Sequence, residues 1–291
     1  MRLLLAALLL WTPQQRPPQP PLPADVEVVR DVEYGTGGGR PLRMHLVRPK
    51  SPPPGPMPVV VYIHGGAWRA GSREGGVRPL ARLAQRGYFG ASIEYRLSQE
   101  ARFPAQIEDC KAAVRFLRAK AGDYSIHPDR IAVWGPSAGG HLAALLGTSG
   151  GVKELEGTGG NPDVSSRVQA VIDWFGPTDF LKMGKNRMDH DSADSPESLL
   201  VGGPIQENRE KAARANPVTY VTADDPPFLI MHGDKDDLVP PGQSELLAEA
   251  LKKAGVEATL HVVAGAGHGF GGRELDAKVD AFLDRHLKPA K

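Results

Sequence analysis

The chain has 291 residues, 35 of them basic and 34 acidic, with a formal net charge of +1. So even a balance gives no electrostatic ground for nucleic acid or an anionic membrane surface as partner. The single cysteine, Cys110, excludes an internal disulfide, and the 41% hydrophobic content supplies one sizeable core, so one domain is expected.

Residues 1–24 stand apart. Met1-Arg2 leads into an apolar run from Leu3 to Trp11, too short for the ~20 residues that span a bilayer. It reads as the h-region of a signal peptide, followed by a proline-dense linker over 13–23, so export to the periplasm or medium is expected; the alternative reading, in which the run is not a signal, leaves the chain in the cytoplasm. No integral membrane span is expected. The domain proper is placed at 25–291.

From residue 26 the pattern alternates. Strands are predicted over 26–34 and 42–47, joined by a glycine-rich turn at 35–39 as a hairpin. The continuous β-branched run at 59–63 reads as a buried parallel strand. A helix is expected over 79–86, a strand over 89–95 and a long amphipathic helix over 104–120, which places Cys110 as a small buried apolar residue. Then come a strand at 130–134, a helix at 137–146 and strands at 168–175 and 228–232. A helix at 241–254 ending before Gly255, a strand at 257–263 and a helix at 274–287 complete the pattern. Alternation of this kind implies a mostly parallel α/β sheet of about eight strands with helices on both faces. The polar stretch 176–227 breaks it and is expected to pass over the carboxyl end of the sheet.

Four segments carry chemistry. Gly135-Pro136-Ser137-Ala138-Gly139 fits G-x-S-x-G between a predicted strand and a predicted helix, the context in which a serine nucleophile is exposed on a tight turn. His64-Gly65-Gly66-Ala67-Trp68 follows a buried strand, as an oxyanion-hole loop does; Gly66 and Ala67, with Ala138, are the expected N–H donors. His64 is read as a brace. Trp68 either lines the substrate pocket or packs. Three aspartates compete after the 228–232 strand. The frame H-G-x-x-D-x-x-V-P over 232–240 selects Asp236 as the acid, leaving Asp234 to brace the turn and Asp237 in solvent. His268, between glycines beyond the last strand, is the expected base. The order Ser137, Asp236, His268 is that of the α/β-hydrolase fold. No cofactor is called for, and no metal: His190 with Asp189 and Asp191 lacks a ligand spacing.

The segments PVVVYIHGGAW (58–68), FPAQIEDCKAAV (103–114), PDRIAVWG (128–135), PPFLIMHGDKD (226–236) and GAGHGF (265–270) resemble a bacterial esterase family. That family includes bifunctional feruloyl and acetylxylan esterases, near the hormone-sensitive-lipase-like branch. The resemblance implies hydrolysis of small-molecule or polysaccharide-linked esters, with acetyl or feruloyl as acyl group. Pro136 departs from the polar residue common beside the nucleophile and should stiffen the turn. A prolyl-oligopeptidase-like peptidase shares the H-G-x-x-D-x-x-V-P frame and is the alternative; a binding protein with a decayed site is the reading from another class.

Overall fold

A computed structural model describes residues 20–184 and 187–288. Residues 1–19 of the expected leader and linker lie outside them. The strands are β1 (Val26–Gly37), β2 (Arg40–Pro49), β3 (Met57–Ile63), β4 (Phe89–Ile93), β5 (Ile126–Pro136), β6 (Ala170–Trp174), β7 (Phe228–Gly233) and β8 (Ala258–Val263). They form one sheet in the order β1-β2-β4-β3-β5-β6-β7-β8. β1 and β2 pair antiparallel, β2 meets β4 antiparallel, and every later pairing is parallel. This is the α/β-hydrolase architecture. The opening hairpin turns more tightly than the sequence led us to expect. Pairing persists to Gly37 and Arg40, and only Gly38 and Gly39, both at positive φ, form the turn.

The helices are α1 (Val77–Ala84), α2 (Ala105–Ala119), α3 (Ala121–Tyr124), α4 (Ala138–Thr148), α5 (Pro196–Val201), α6 (Arg209–Ala215), α7 (Gly242–Lys253) and α8 (Arg273–Leu287). Side chains of a strand alternate between faces, so β3 serves two cores at once. Val60 and Tyr62 join the layer filled by Leu80 and Leu83 of α1 and Val279 and Leu283 of α8. Val59, Val61 and Ile63 join the opposite layer, filled by Val114 of α2, Leu142 and Leu145 of α4 and Leu247 of α7. Cys110 is fully buried in that second layer.

Two features depart from the expected pattern. β5 begins four residues early, at Ile126, because the polar stretch around Pro128 is accommodated by a register shift against β3. The stretch 176–227 is not plain loop: it carries α5 and α6. Gln243 of α7 anchors its start, its Oε1 accepting from the Thr178 and Asp179 amides at 2.8 and 2.7 Å and its Nε2 donating to the Lys182 carbonyl. Asn216 continues the clamp, donating to Asp179 and accepting from the Phe180 amide.

The end of α4 is fixed by a buried charge cluster. Lys111 Nζ donates to the Ser149 carbonyl at 2.6 Å, just beyond α4, and to Glu156 at 2.8 Å. Arg115 donates to the other Glu156 oxygen at 3.0 Å, and Ser166 also donates to that carboxylate. Burial pushes the Lys111 ammonium down. Burial also pushes the Glu156 carboxyl up, but Lys111, Ser166 and Arg115 outweigh it and hold the group below its ordinary range. Glu156→Ala would leave two buried cations unpaired. It should lower the unfolding free energy by on the order of 3 kcal/mol, read from urea denaturation; a change within experimental error would show that the cluster carries no net stability.

Candidate active site

Ser137 sits between β5 and α4 with φ 55° and ψ −124°, a left-handed conformation that costs a non-glycine residue about 1–3 kcal/mol. Its neighbours over-determine it. The Ser137 amide donates to the Trp174 carbonyl at the end of β6 at 2.8 Å, and its carbonyl accepts from the His141 amide at 2.9 Å. The turn is so tight that a Cβ on Gly139 would fall on the Ile63 carbonyl oxygen, and one on Gly135 would strike Gly139. Both glycines of the pentapeptide are therefore required by close approach.

The loop after β3 wraps the other side. Gly66 has φ 114° and the next two residues, Ala67 and Trp68, are also left-handed at 55° and 56°. Alanine thus occupies a conformation that glycine adopts more easily, and the loop keeps its shape. The amides of Gly66, Ala67 and Ala138 make no hydrogen bond to another described group, which leaves all three free to donate. His64 braces this loop as read from sequence: it stacks on Tyr95 at 4.3 Å between centroids, and the Tyr95 hydroxyl donates to the His64 carbonyl.

His268 and Asp236 arrive from the ends of β8 and β7. His268 Nε2 lies 2.9 Å from Ser137 Oγ and Nδ1 lies 2.8 Å from Asp236 Oδ2. A carboxylate at Nδ1 places the proton there, leaving Nε2 to accept from the serine hydroxyl. Asp236 is buried, which pushes its carboxyl up. Hydrogen bonds from His232, His268 and the Val239 and Leu238 amides outweigh this and hold it well below the usual carboxylate range. It is a fixed anion at any working pH. The competing aspartates fall where the frame placed them: Asp234 accepts from the Gly265 amide at 2.6 Å, and Asp237 is exposed, facing Arg187.

Sequence reasoning did not find three supports. His232 Nδ1 accepts from the Ser244 hydroxyl at 2.6 Å, so its Nε2–H faces the Val239 carbonyl and Asp236. Phe175 packs edge-on against His268 at 4.8 Å. His141, one turn into α4, accepts from Trp68 Nε1 at 3.1 Å and donates from Nε2 to the Ala215 carbonyl of α6 at 2.7 Å. Phe180 packs on both Trp68 and His141. Trp68 therefore does both things the sequence left open: it is packed, and it lines the cavity beside Ser137. That cavity measures about 130 Å³ and is mostly apolar, with Ala67, Pro177, Met188 and Leu238 in its wall. Among the described residues no group of three or more His, Cys, Asp or Glu side chains is placed to hold a metal, and no helix is long and apolar enough to cross a membrane.

Burial pushes His141 down to about 4, against an ordinary value near 6.5. The unfolded chain therefore takes up a proton as pH falls through about 6.5, while the native state resists until about 4. This histidine's contribution to stability is intact above that window and is lost within it. Asp173 and Asp225, both raised to about 6 by burial, titrate in the same range with the opposite sign. The measurement is therefore the difference between wild type and His141→Gln. That difference should shift in favour of the variant by on the order of 3 kcal/mol between pH 7 and pH 4. A difference independent of pH would show that His141 is not held neutral.

Comparison with known proteins identifies the family. The BD-FAE family model matches residues 44–251. "Probable carboxylic ester hydrolase LipM" of Mycobacterium tuberculosis is 32% identical over 79% of the chain and 53% of its own length, and "Esterase LipC" of the same organism is 34% identical over 77% of the chain. The chain thus spans about half the length of these curated relatives. Among solved structures, a truncated carbohydrate esterase from gut microbiota superposes with a TM-score of 0.81 at 33% identity, covering 89% of this chain and 95% of that one. Esterase 2 of Thermogutta terrifontis, phosphoramylated by tabun, superposes at 0.72 with 27% identity, covering 93% and 98%. With a family match across most of the fold and relatives above 30% identity over three quarters of the sequence, the chain belongs to the BD-FAE family.

Proposed function

We propose that the protein is a serine carboxylic-ester hydrolase that works through an acyl-enzyme on short-acyl esters, including acetyl groups linked to carbohydrate. The observation that carries this reading is the unbroken relay from Asp236 through His268 to Ser137, opening on a cavity bounded by Ala67 and Ala138. His268 takes the serine proton as Ser137 Oγ attacks the ester carbonyl. The amides of Gly66, Ala67 and Ala138 receive the oxyanion, a contribution of about 10²–10³ in rate for each donor. Protonated His268 then passes its proton to the leaving alcohol, and water, activated by the same imidazole, cleaves the acyl-enzyme. Asp236 holds the imidazole in the required tautomer and stabilises its charged form.

The small volume of the cavity favours an acetyl over a feruloyl group. Support for carbohydrate as the alcohol portion comes from the gut-microbiota carbohydrate esterase and from a bifunctional GH43-CE protein of Bacteroides eggerthii, 36% identical with a TM-score of 0.80.

Initial rates on p-nitrophenyl acetate, a long-chain p-nitrophenyl ester, methyl ferulate, acetylated xylan and a chromogenic proline peptide test the reading. Ser137→Ala should lose on the order of 10⁴–10⁶ in turnover on the acetate esters, and Asp236→Asn should be severely impaired where Asp237→Asn is close to wild type. Turnover retained by Ser137→Ala, or cleavage of the peptide alone, would sink it.

A further inference from the structure

The cavity beside Ser137 has one wall that its apolar lining does not explain. His190, in the stretch before α5, and Glu197, in the first turn of α5, both line it and are 2% and 3% exposed. His190 Nδ1 lies 3.1 Å from Glu197 Oε1, close but not aligned as a hydrogen bond. His190 Nε2 and Glu197 Oε2 make no hydrogen bond to any described group. Buried polar atoms are ordinarily satisfied, and an imperfectly paired buried carboxylate is costly.

The surrounding backbone shows that the placement is built rather than accidental. Ser195 caps α5, accepting from the Ser198 amide at 3.1 Å, while its hydroxyl donates to the His190 carbonyl at 2.7 Å. One side chain thereby fixes the start of the helix that carries Glu197 and the backbone that carries His190. Both residues line the same small space as Ser137.

We propose that His190 and Glu197 form a polar subsite that recognises a hydroxyl group close to the scissile ester. The inference rests on the ester-hydrolase reading above and narrows its substrate class to hydroxylated esters. A hydroxyl donates one hydrogen bond and accepts others, so it satisfies the free carboxylate oxygen and the imidazole together. A purely hydrocarbon substituent in the same place would leave both unpaired and dry, which is unfavourable for buried polar groups. A site of this kind therefore selects against the analogue that lacks the hydroxyl. The hydroxyl belongs either to the alcohol portion, as in a partly acetylated sugar, or to the acyl portion, as in a hydroxy acid ester.

The test compares kcat/KM within matched pairs of small esters. Glycerol monoacetate against propyl acetate places the hydroxyls on the alcohol; propyl glycolate against propyl acetate places one on the acyl group. Wild type should prefer the hydroxylated member of at least one pair, and which pair it is assigns the side of the ester. In Glu197→Gln and His190→Gln that preference should fall on the order of 10-fold. A melting curve for each variant checks that it is folded, and the wild-type preference stands as a test even if a variant is not. Absence of any preference in wild type overturns the inference. So does an equal loss on both members of a pair in the variants, which would make the two residues structural. A preference confined to aminoethyl acetate over propyl acetate would also overturn it, in favour of an ammonium site. Failure of wild type on p-nitrophenyl acetate would instead sink the ester-hydrolase reading itself, so the two failures are distinguishable.

Discussion

Everything at the site depends on one strained residue. Ser137 is held left-handed between β5 and α4, and the strain persists because the backbone around it has no room to relax. Gly139 lies against the end of β3, so the start of α4 and the loop after β3 share one packing surface. That surface brings the free amide of Ala138 to the same cavity as Ala67. Ser137 and the loop amides proposed as oxyanion donors are thus placed by a single close approach, and a Cβ at Gly139 would separate them. The buried Lys111 ammonium, paired with Glu156, acts at the other end of α4, securing the Ser149 carbonyl and so the helix that follows the strained residue.

Three histidines around this centre are kept apart in role by what their nitrogens meet. His268 has a carboxylate on one side and a hydroxyl on the other. His232 spends its Nε2–H on the Val239 carbonyl and the Asp236 carboxylate, helping to keep that carboxylate ionised. His141 meets only neutral groups, an indole N–H and a carbonyl, in a fully buried setting, and stays uncharged. Its tautomer follows from the indole: Nδ1 accepts from Trp68, so Nε2 must donate to α6. The segment over the sheet, the loop after β3 and the nucleophile's helix are joined through that one ring.

The sequence marked the residues of the candidate site, which the structure brings together, because each part is a short local pattern. Ser137, Asp236 and His268 each follow a predicted strand, and the chain order with glycines at fixed offsets leaves few alternatives. The sheet was legible for the same reason, since β3 and β7 are continuous apolar runs. Legibility ended where position depends on contacts between distant segments. β5 was read short because Pro128 and its polar neighbours mask a strand that a register shift accommodates. α5 and α6 are six and seven residues long, too short for periodicity to declare them. His141 looked like any helical residue, and its partnership with Trp68 spans 73 positions.

His190 is the instructive case. Within the sequence it is one histidine among aspartates, without the spacing of a metal site, in a stretch with no period. Its meaning comes from Glu197, seven residues on, and from a serine between them that ties both to the start of one short helix. A buried imidazole and carboxylate that fail to satisfy each other are poor contributors to stability. Were the pair there only to hold α5, the Ser195 cap and the packing of Leu200 and Val201 would do so without burying a charge. Departures from local consistency concentrate where a fold keeps an interaction in reserve for something it binds. Here both residues line the cavity beside Ser137, whose remaining lining is mostly apolar. The cavity thus combines a small hydrocarbon-compatible volume with one polar corner, which is the chemical outline of a short acyl ester carrying a hydroxyl.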